Sequence, residues 1–237
     1  MASKGIGRAE VDRETWLAAR KALLTEEVAL KRAQDRLAEA RRHLPKLRVT
    51  TDYRFAGPDG PLTLSDLFGP HRQLAVYHFM FGPDWAEGCP ICSFWADNLD
   101  RLVPHLAARG VALVLVSAAP VDRLMAYRAR MGWDIPWVSS GGTTFNHDYG
   151  VAFADADLEP GSRPYNFGKA GAPGPEAPGF SSFEKAEDGT IHHCYSAYAR
   201  GLEPLNAAYG LLDLMPQGRD EGGLPFSMAW LKRRDSY

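Results

Sequence analysis

Cysteine is scarce: three residues among 237, an odd count that excludes a disulfide-built framework and leaves at least one thiol unpaired. Charge of one sign is not in excess either. Lys and Arg total 27 against 29 Asp and Glu, and a net charge of −2 gives no whole-chain attraction to nucleic acid or an anionic membrane. No segment approaches the roughly 18 consecutive apolar residues of a membrane-spanning helix. Residues 1–10 hold no apolar run of signal-peptide length, so the chain reads as cytoplasmic, where closely spaced cysteines point to redox or metal chemistry. A G-x-S-x-G elbow, a G-x-x-x-x-G-K-[ST] loop and a G-x-G-x-x-G turn after a strand are all missing. Their absence weakens any reading as a hydrolase, a nucleotide hydrolase or a dinucleotide-dependent enzyme.

What is present is ordinary globular composition, 45% hydrophobic and 24% charged, in a length that suits one domain with additions. Residues 12–44 form the clearest predicted helix, with Asp12 as N-cap, Glu14 in the first turn and Pro45 as the stop. Trp16, Leu23, Leu30, Leu37 and Leu44 recur every seventh residue. This narrow seam could pack on the body of the protein or on a second copy, which leaves a homodimer open. Residues 1–48 are accordingly assigned to an amino-terminal helical extension and residues 49–237 to the main domain.

Within that domain, Tyr53–Phe55 and Leu62–Leu64 flank a Gly-Pro-Asp-Gly turn, and Ser65 is expected to cap a short helical turn over Asp66–Phe68. Leu74–Phe81 is a nearly continuous apolar run, as in a strand covered on both faces. A helix over 90–108, a strand over Val111–Val116 and a helix over Val121–Arg130 follow, which implies a parallel pair with a right-handed crossover. Five glycines and five prolines punctuate the insertion at residues 155–179. Such a segment is either an ordered functional covering or mobile. Phe180–Lys185 and Thr190–Ser196 read as a hairpin through Glu187-Asp188-Gly189, and a last helix is expected over Pro204–Leu214. Within this frame His78 reads as a hydrogen-bonded core residue, Asn146-His147-Asp148 as a turn, and Lys232-Arg233-Arg234 as a basic cluster too short for nucleic acid.

The sharpest local feature is Gly88-Cys89-Pro90-Ile91-Cys92, just past the buried strand and at the start of a helix. A thiolate there faces unpaired backbone N–H groups and the positive end of the helix dipole, which lowers its pKa below the free value of about 8.5. Pro90 fits the first helical position, where a missing N–H costs nothing. One turn brings Cys92 beneath Cys89, so Cys89 is the expected exposed nucleophile and Cys92 the buried resolver of a mixed disulfide. Asp84 and Glu87, just ahead, are candidates for proton transfer, and Trp85 for the rim against which a substrate packs. The competing readings are a metal site that recruits His192, His193 and Cys194, and a chemically silent pair.

The stretches Tyr77–Trp85, Glu87–Pro90 and Cys92–Asp97 resemble the bacterial thioredoxin-like family catalogued as domain of unknown function 899. The resemblance extends through Glu14–Arg20, Arg130–Trp133, Pro136–Ser140, Tyr198–Leu202, Leu211–Leu214, Gly218–Glu221 and Met228–Trp230, so nearly the whole chain is covered. The chain differs from the family pattern at Ile91, where a small polar residue is usual, and at His193-Cys194. The resemblance implies an α/β thioredoxin-like fold, with a central mixed sheet flanked by helices, and a dithiol–disulfide oxidoreductase without a bound cofactor. Its partner would be a disulfide-containing protein or small molecule. It also implies a substrate-contacting cis-proline beside the dithiol, for which Pro178 is the first candidate by position and Pro136 the rival. A cysteine peroxidase of peroxiredoxin type is the alternative, although Gly82-Pro83-Asp84 to Cys89 does not supply the Pro-x-x-x-Thr/Ser-x-x-Cys spacing. A non-catalytic module that holds a metal or a partner is the other.

Overall fold

A computed structural model describes residues 7–237. The chain forms two compact units, Met1–Pro45 and Lys46–Tyr237. In the first, the described residues form one helix, α1 (Arg13–Arg42), whose N-cap Asp12 accepts a hydrogen bond from the Thr15 N–H at 2.8 Å. Arg41 and Arg42 close its last turn, where cations favour the exposed carbonyls.

The second unit carries one eight-stranded mixed sheet. Its strands are β1 (Leu47–Arg48), β2 (Arg54–Gly57), β3 (Gly60–Thr63), β4 (Gln73–His78), β5 (Val111–Ser117), β6 (Trp137–Ser139), β7 (Gly179–Lys185) and β8 (Ile191–Tyr198), in the order β1-β8-β7-β4-β5-β6-β2-β3. β4, β5 and β6 run parallel, while the β7–β8 hairpin lies antiparallel against β4. A parallel βαβ crossover beside an antiparallel hairpin, with helices over the sheet, is the thioredoxin-like arrangement.

Both faces of the central strands are covered, which is why they read as unbroken apolar runs. Ala75 and Tyr77 of β4 join Leu113 and Leu115 of β5 in one core, beneath α2 (Pro90–Leu99) and α4 (Val121–Met131). Leu74 and Val76 join Val114 and Val116 in the other, with Phe55, Phe68, Phe145 and Phe183. The dithiol loop leaves the carboxyl end of β4 on the first of these faces.

Several expected elements are adjusted. The helix over 90–108 is broken into α2, a 3-10 turn at Asp100–Leu102 and α3 (Val103–Ala107). Pro104 has no N–H to give the carbonyl of Asp100, and Val103 bonds that carbonyl in the tighter 3-10 pattern. The buried Asp100 carboxylate also accepts from the N–H groups of Asp134 and Ile135, at 2.7 and 2.9 Å, fixing the break against the loop after α4. The expected helix at 204–214 starts later, as α6 (Ala207–Leu214), because Asn206 caps it from the N–H groups of Ala208 and Tyr209. Ser65 makes no capping bond; Asp66 and Thr63 bond each other reciprocally instead. Asn146-His147-Asp148 belongs to a single helical turn, α5 (Phe145–Asp148).

Candidate functional site

Cys89 is the N-cap of α2 and Pro90 its first residue. The loop from β4 is closed by two bonds to one residue: the Cys89 N–H donates to the Met80 carbonyl at 3.1 Å, and the Met80 N–H donates to Cys92 Sγ at 3.4 Å. Ser93 completes the first turn, its N–H and hydroxyl both donating to the Cys89 carbonyl, at 2.9 and 2.8 Å. Gly88 is required by packing, since a Cβ there would lie 2.8 Å from the Phe79 ring and 3.0 Å from that of Tyr127.

The two thiols are free and unequal. Cys89 is partly exposed, whereas Cys92 is fully buried. The Cys92 thiol donates to Cys89 and pushes its pKa down to about 7, against the opposing effect of burial. The N–H groups of Cys92 and Ile91 and the charge of Arg233 act in the same direction. Burial drives Cys92 the other way, well above the ordinary thiol value, and the neighbouring Cys89 reinforces it. Burial raises the pKa of the enclosed Tyr77 hydroxyl, and the neighbouring Cys92 sulfur raises it further.

Other parts of the chain converge on this pair. Arg233, near the carboxyl end, donates from Nη2 and Nε to the Gly88 carbonyl at 2.8 and 3.2 Å, and from Nε to the Tyr127 hydroxyl at 3.1 Å. Tyr127 in turn shares a 2.9 Å hydrogen bond with Ser93. Arg123 holds the preceding loop by the carbonyls of Pro83 and Trp85, at 2.7 and 2.9 Å. The Gly/Pro-rich segment supplies Glu176, only 7% exposed, in a short bridge with Ala152. Burial pushes its carboxyl up to about 7, while a hydrogen bond from the Phe81 backbone lowers it and the charge of Cys89 raises it further. The same segment is pinned by Tyr165, whose hydroxyl donates to the Pro178 carbonyl at 2.6 Å and accepts from the Ala199 N–H at 2.9 Å.

The family comparison covers residues 7–237, which match the model described as "Bacterial protein of unknown function (DUF899)". The chain belongs to the DUF899 family. No curated protein matches it. Among solved structures, this DUF899 protein is similar to peroxidoxin BcpB from Mycobacterium tuberculosis, at 16% identity over 70% of this chain and 96% of that one, with a TM-score of 0.47. A Xanthomonas campestris peroxiredoxin Q variant gives 16%, 73% and 96%, with a TM-score of 0.46. A secreted Mycobacterium tuberculosis disulfide oxidoreductase homologous to Escherichia coli DsbE gives 15%, 66% and 96%, with a TM-score of 0.38.

The DUF899 chain brings Cys89, Pro90 and Cys92 together at the start of α2, and the indole of Trp85 packs over Gly82 in the loop ahead of them. Asp84 is exposed on the loop. Glu87 is paired with Arg130 and with Arg233, the latter at 2.8 Å, and both lower its pKa. The expected cis-proline is corrected. Every peptide bond among the described residues is trans, at Pro178 and Pro136 alike. Ala177 bonds the Val151 carbonyl and the extended chain runs straight into β7, so Pro178 precedes the strand without a reversal.

Cys194 lies elsewhere, with its thiol 3.7 Å from the His192 carbonyl and its pKa raised by burial and by Glu184. Among the described residues no group of three or more His, Cys, Asp or Glu is arranged to hold a metal ion. A cavity of about 460 Å³ opens at the amino-terminal ends of β5 and β6, between Leu62, Phe68, Val111 and Pro136, and neither Cys89 nor Cys92 lines it. No helix among the described residues is long and apolar enough to cross a membrane.

Proposed function

We propose that this protein is a thiol–disulfide oxidoreductase in which Cys89 exchanges with a protein or small-molecule disulfide and Cys92 resolves the intermediate. The observation that carries this reading is the inequality of the two sulfurs. One is accessible and acidified by its neighbour and by backbone N–H groups; the other is enclosed and held as a thiol.

The Cys89 thiolate attacks one sulfur of R–S–S–R′, forming Cys89–S–S–R and releasing R′S⁻. The charge beside Glu176 has then gone, its carboxyl becomes a stronger acid, and its proton neutralises R′S⁻. As Cys92 attacks Cys89 Sγ, its proton passes to solvent; the Cys89–Cys92 disulfide forms and RS⁻ leaves, taking up a proton from solvent. The substrate gains two electrons and the dithiol loses two. Pro90, the first residue of α2 after Cys89, is assigned to the substrate contact together with Trp85 and Pro178.

Cys89→Ser and Cys92→Ser test the scheme with oxidised glutathione and a protein disulfide as probes. Cys89→Ser is expected to abolish exchange, and Cys92→Ser to accumulate a mixed disulfide on Cys89 visible as a mass increment. Full activity in both variants, or a wild-type dithiol inert to both probes, overturns the assignment.

A further inference from the structure

We propose that the carboxy-terminal tail is a strap that completes the dithiol site, with Arg233 as a positioning residue that holds the loop ahead of Cys89 and presents a fixed positive charge to its sulfur. This deepens the oxidoreductase reading and rests on it.

Three successive tail residues each reach a different part of the frame around the cysteines. Arg233 takes the Gly88 carbonyl, the Tyr127 hydroxyl and Glu87. Arg234 pairs with Asp97 of α2 at 3.2 Å and donates to the Met131 carbonyl at the end of α4. Asp235 accepts from Arg130 of α4 at 2.6 Å. Just before them Leu231 is buried and the Trp230 ring meets Phe94 of α2 at 5.8 Å, so the strap is anchored by apolar contact before its charges engage.

Exposed ion pairs contribute little to stability, about 0–1 kcal/mol each. Arg233 differs, because its side chain is about three-quarters covered and its guanidinium donates to backbone and hydroxyl groups as well as to a carboxylate. A carbonyl taken by a cation is also held in place, and Gly88 is the residue that sets the direction of Cys89. Arg130 bridges Glu87 and Asp235, so Glu87 is shared between two cations and only partly offsets the charge of Arg233.

The titratable and charged groups facing Cys89 are therefore Cys92 on α2, Tyr77 on β4, Glu176 on the Gly/Pro segment and Arg233 on the tail. Around Arg233 stand Glu87 and, on α4, Tyr127 and Arg130, and Tyr165 lies near enough to Cys92 to feel its charge. Arg233 is the cation among them whose charge acts on the sulfur.

The test is the pH dependence of Cys89 alkylation by iodoacetamide in the full-length reduced protein, compared among wild type, Arg233→Lys and Arg233→Gln. Exchange with oxidised glutathione is measured in parallel, and circular dichroism verifies that each variant is folded. Arg233→Gln is expected to move the inflection toward the ordinary thiol value and to slow alkylation at pH 7 by about three- to tenfold, with the rate recovered at high pH. Arg233→Lys, which keeps the charge but not the planar fork, is expected to restore part of the shift. An unchanged inflection in a folded Arg233→Gln protein overturns the strap. If that variant is unfolded, Arg234→Gln and Asp235→Asn, which loosen the strap from its outer end, are expected to move the inflection in the same direction; no movement in either overturns it as well. A wild-type protein that shows the shift but exchanges with no disulfide leaves the strap standing and overturns the oxidoreductase reading.

Discussion

Glu176 shows how a single carboxyl can couple stability to the chemistry beside it. Its pKa is raised to about 7 in the folded chain, so between the ordinary carboxyl value and pH 7 the native state holds a proton that the unfolded chain has released. Stability from this group is therefore full at low pH and falls as pH rises through that window, by up to about 3 kcal/mol. Glu176→Gln is expected to flatten this slope in denaturant titrations at pH 5 and pH 8. The same variant leaves no second acid to repel the thiolate, so Cys89 alkylation should follow one inflection at or below the wild-type position. Formation of the mixed disulfide should slow by about tenfold, as expected when a proton donor to the leaving thiolate is removed; stopped-flow traces of glutathione release measure it. The cysteines were legible in the sequence because a spacing of three at a helix start is a local relation. Glu176 was not, since it stands in a Gly/Pro-rich segment with no periodicity, and its burial arises from residues far away in the chain. Arg233 was hidden for the same reason: Lys232-Arg233-Arg234 reads only as a basic cluster too short for nucleic acid until Gly88, Tyr127 and Asp97 are folded against it.

At the scale of elements, apolar period and turn chemistry located the β7–β8 hairpin, α4 and the strand core of β4 and β5, all set by neighbours within a few residues. Breaks were harder to see when their cause was tertiary. Asp100 splits the expected long helix because it is drawn to the backbone of Asp134 and Ile135, a partnership with no local trace. Asn206 divides the 3-10 turn at Ala199–Leu205 from α6, and its side-chain oxygen serves two N–H groups while its own N–H2 is buried without a partner. Asn206→Ala is expected to lower stability by about 1 kcal/mol through loss of the cap, read as a shift of the urea midpoint with an unchanged slope. Because α6 also carries Tyr209, whose ring packs against Phe94 and Trp95 of α2, fraying there loosens the far side of the dithiol helix.

For the whole molecule, the strand–helix–strand order was enough to expect a parallel pair, and the family resemblance a mixed sheet, whereas the positions of β1, β2 and β3 at the edges were not readable, since no pattern in so short a strand selects which edge it joins. All eight strands and both central cores lie within residues 46–237. A chain of those residues alone is therefore expected to fold, with a cooperative thermal transition and the same pH profile for Cys89 alkylation as the full protein. A non-cooperative melt would show that α1 is needed for folding.

The sheet also contains a change of parity. Ser182 pairs with Tyr195 but Phe183 pairs with His193, so Cys194 is one residue too many in β8. In a regular strand positions 193 and 196 would point to opposite sides; the bulge puts them on one, so the His193 ring reaches the Ser196 hydroxyl at 2.8 Å, and the chain continues through Ser181 to His78. Four polar side chains on three adjacent strands are thereby threaded into one row. A slip of any of those strands by a single step would strand the row in hydrocarbon, so the odd residue acts as a key that lets the sheet close in only one alignment.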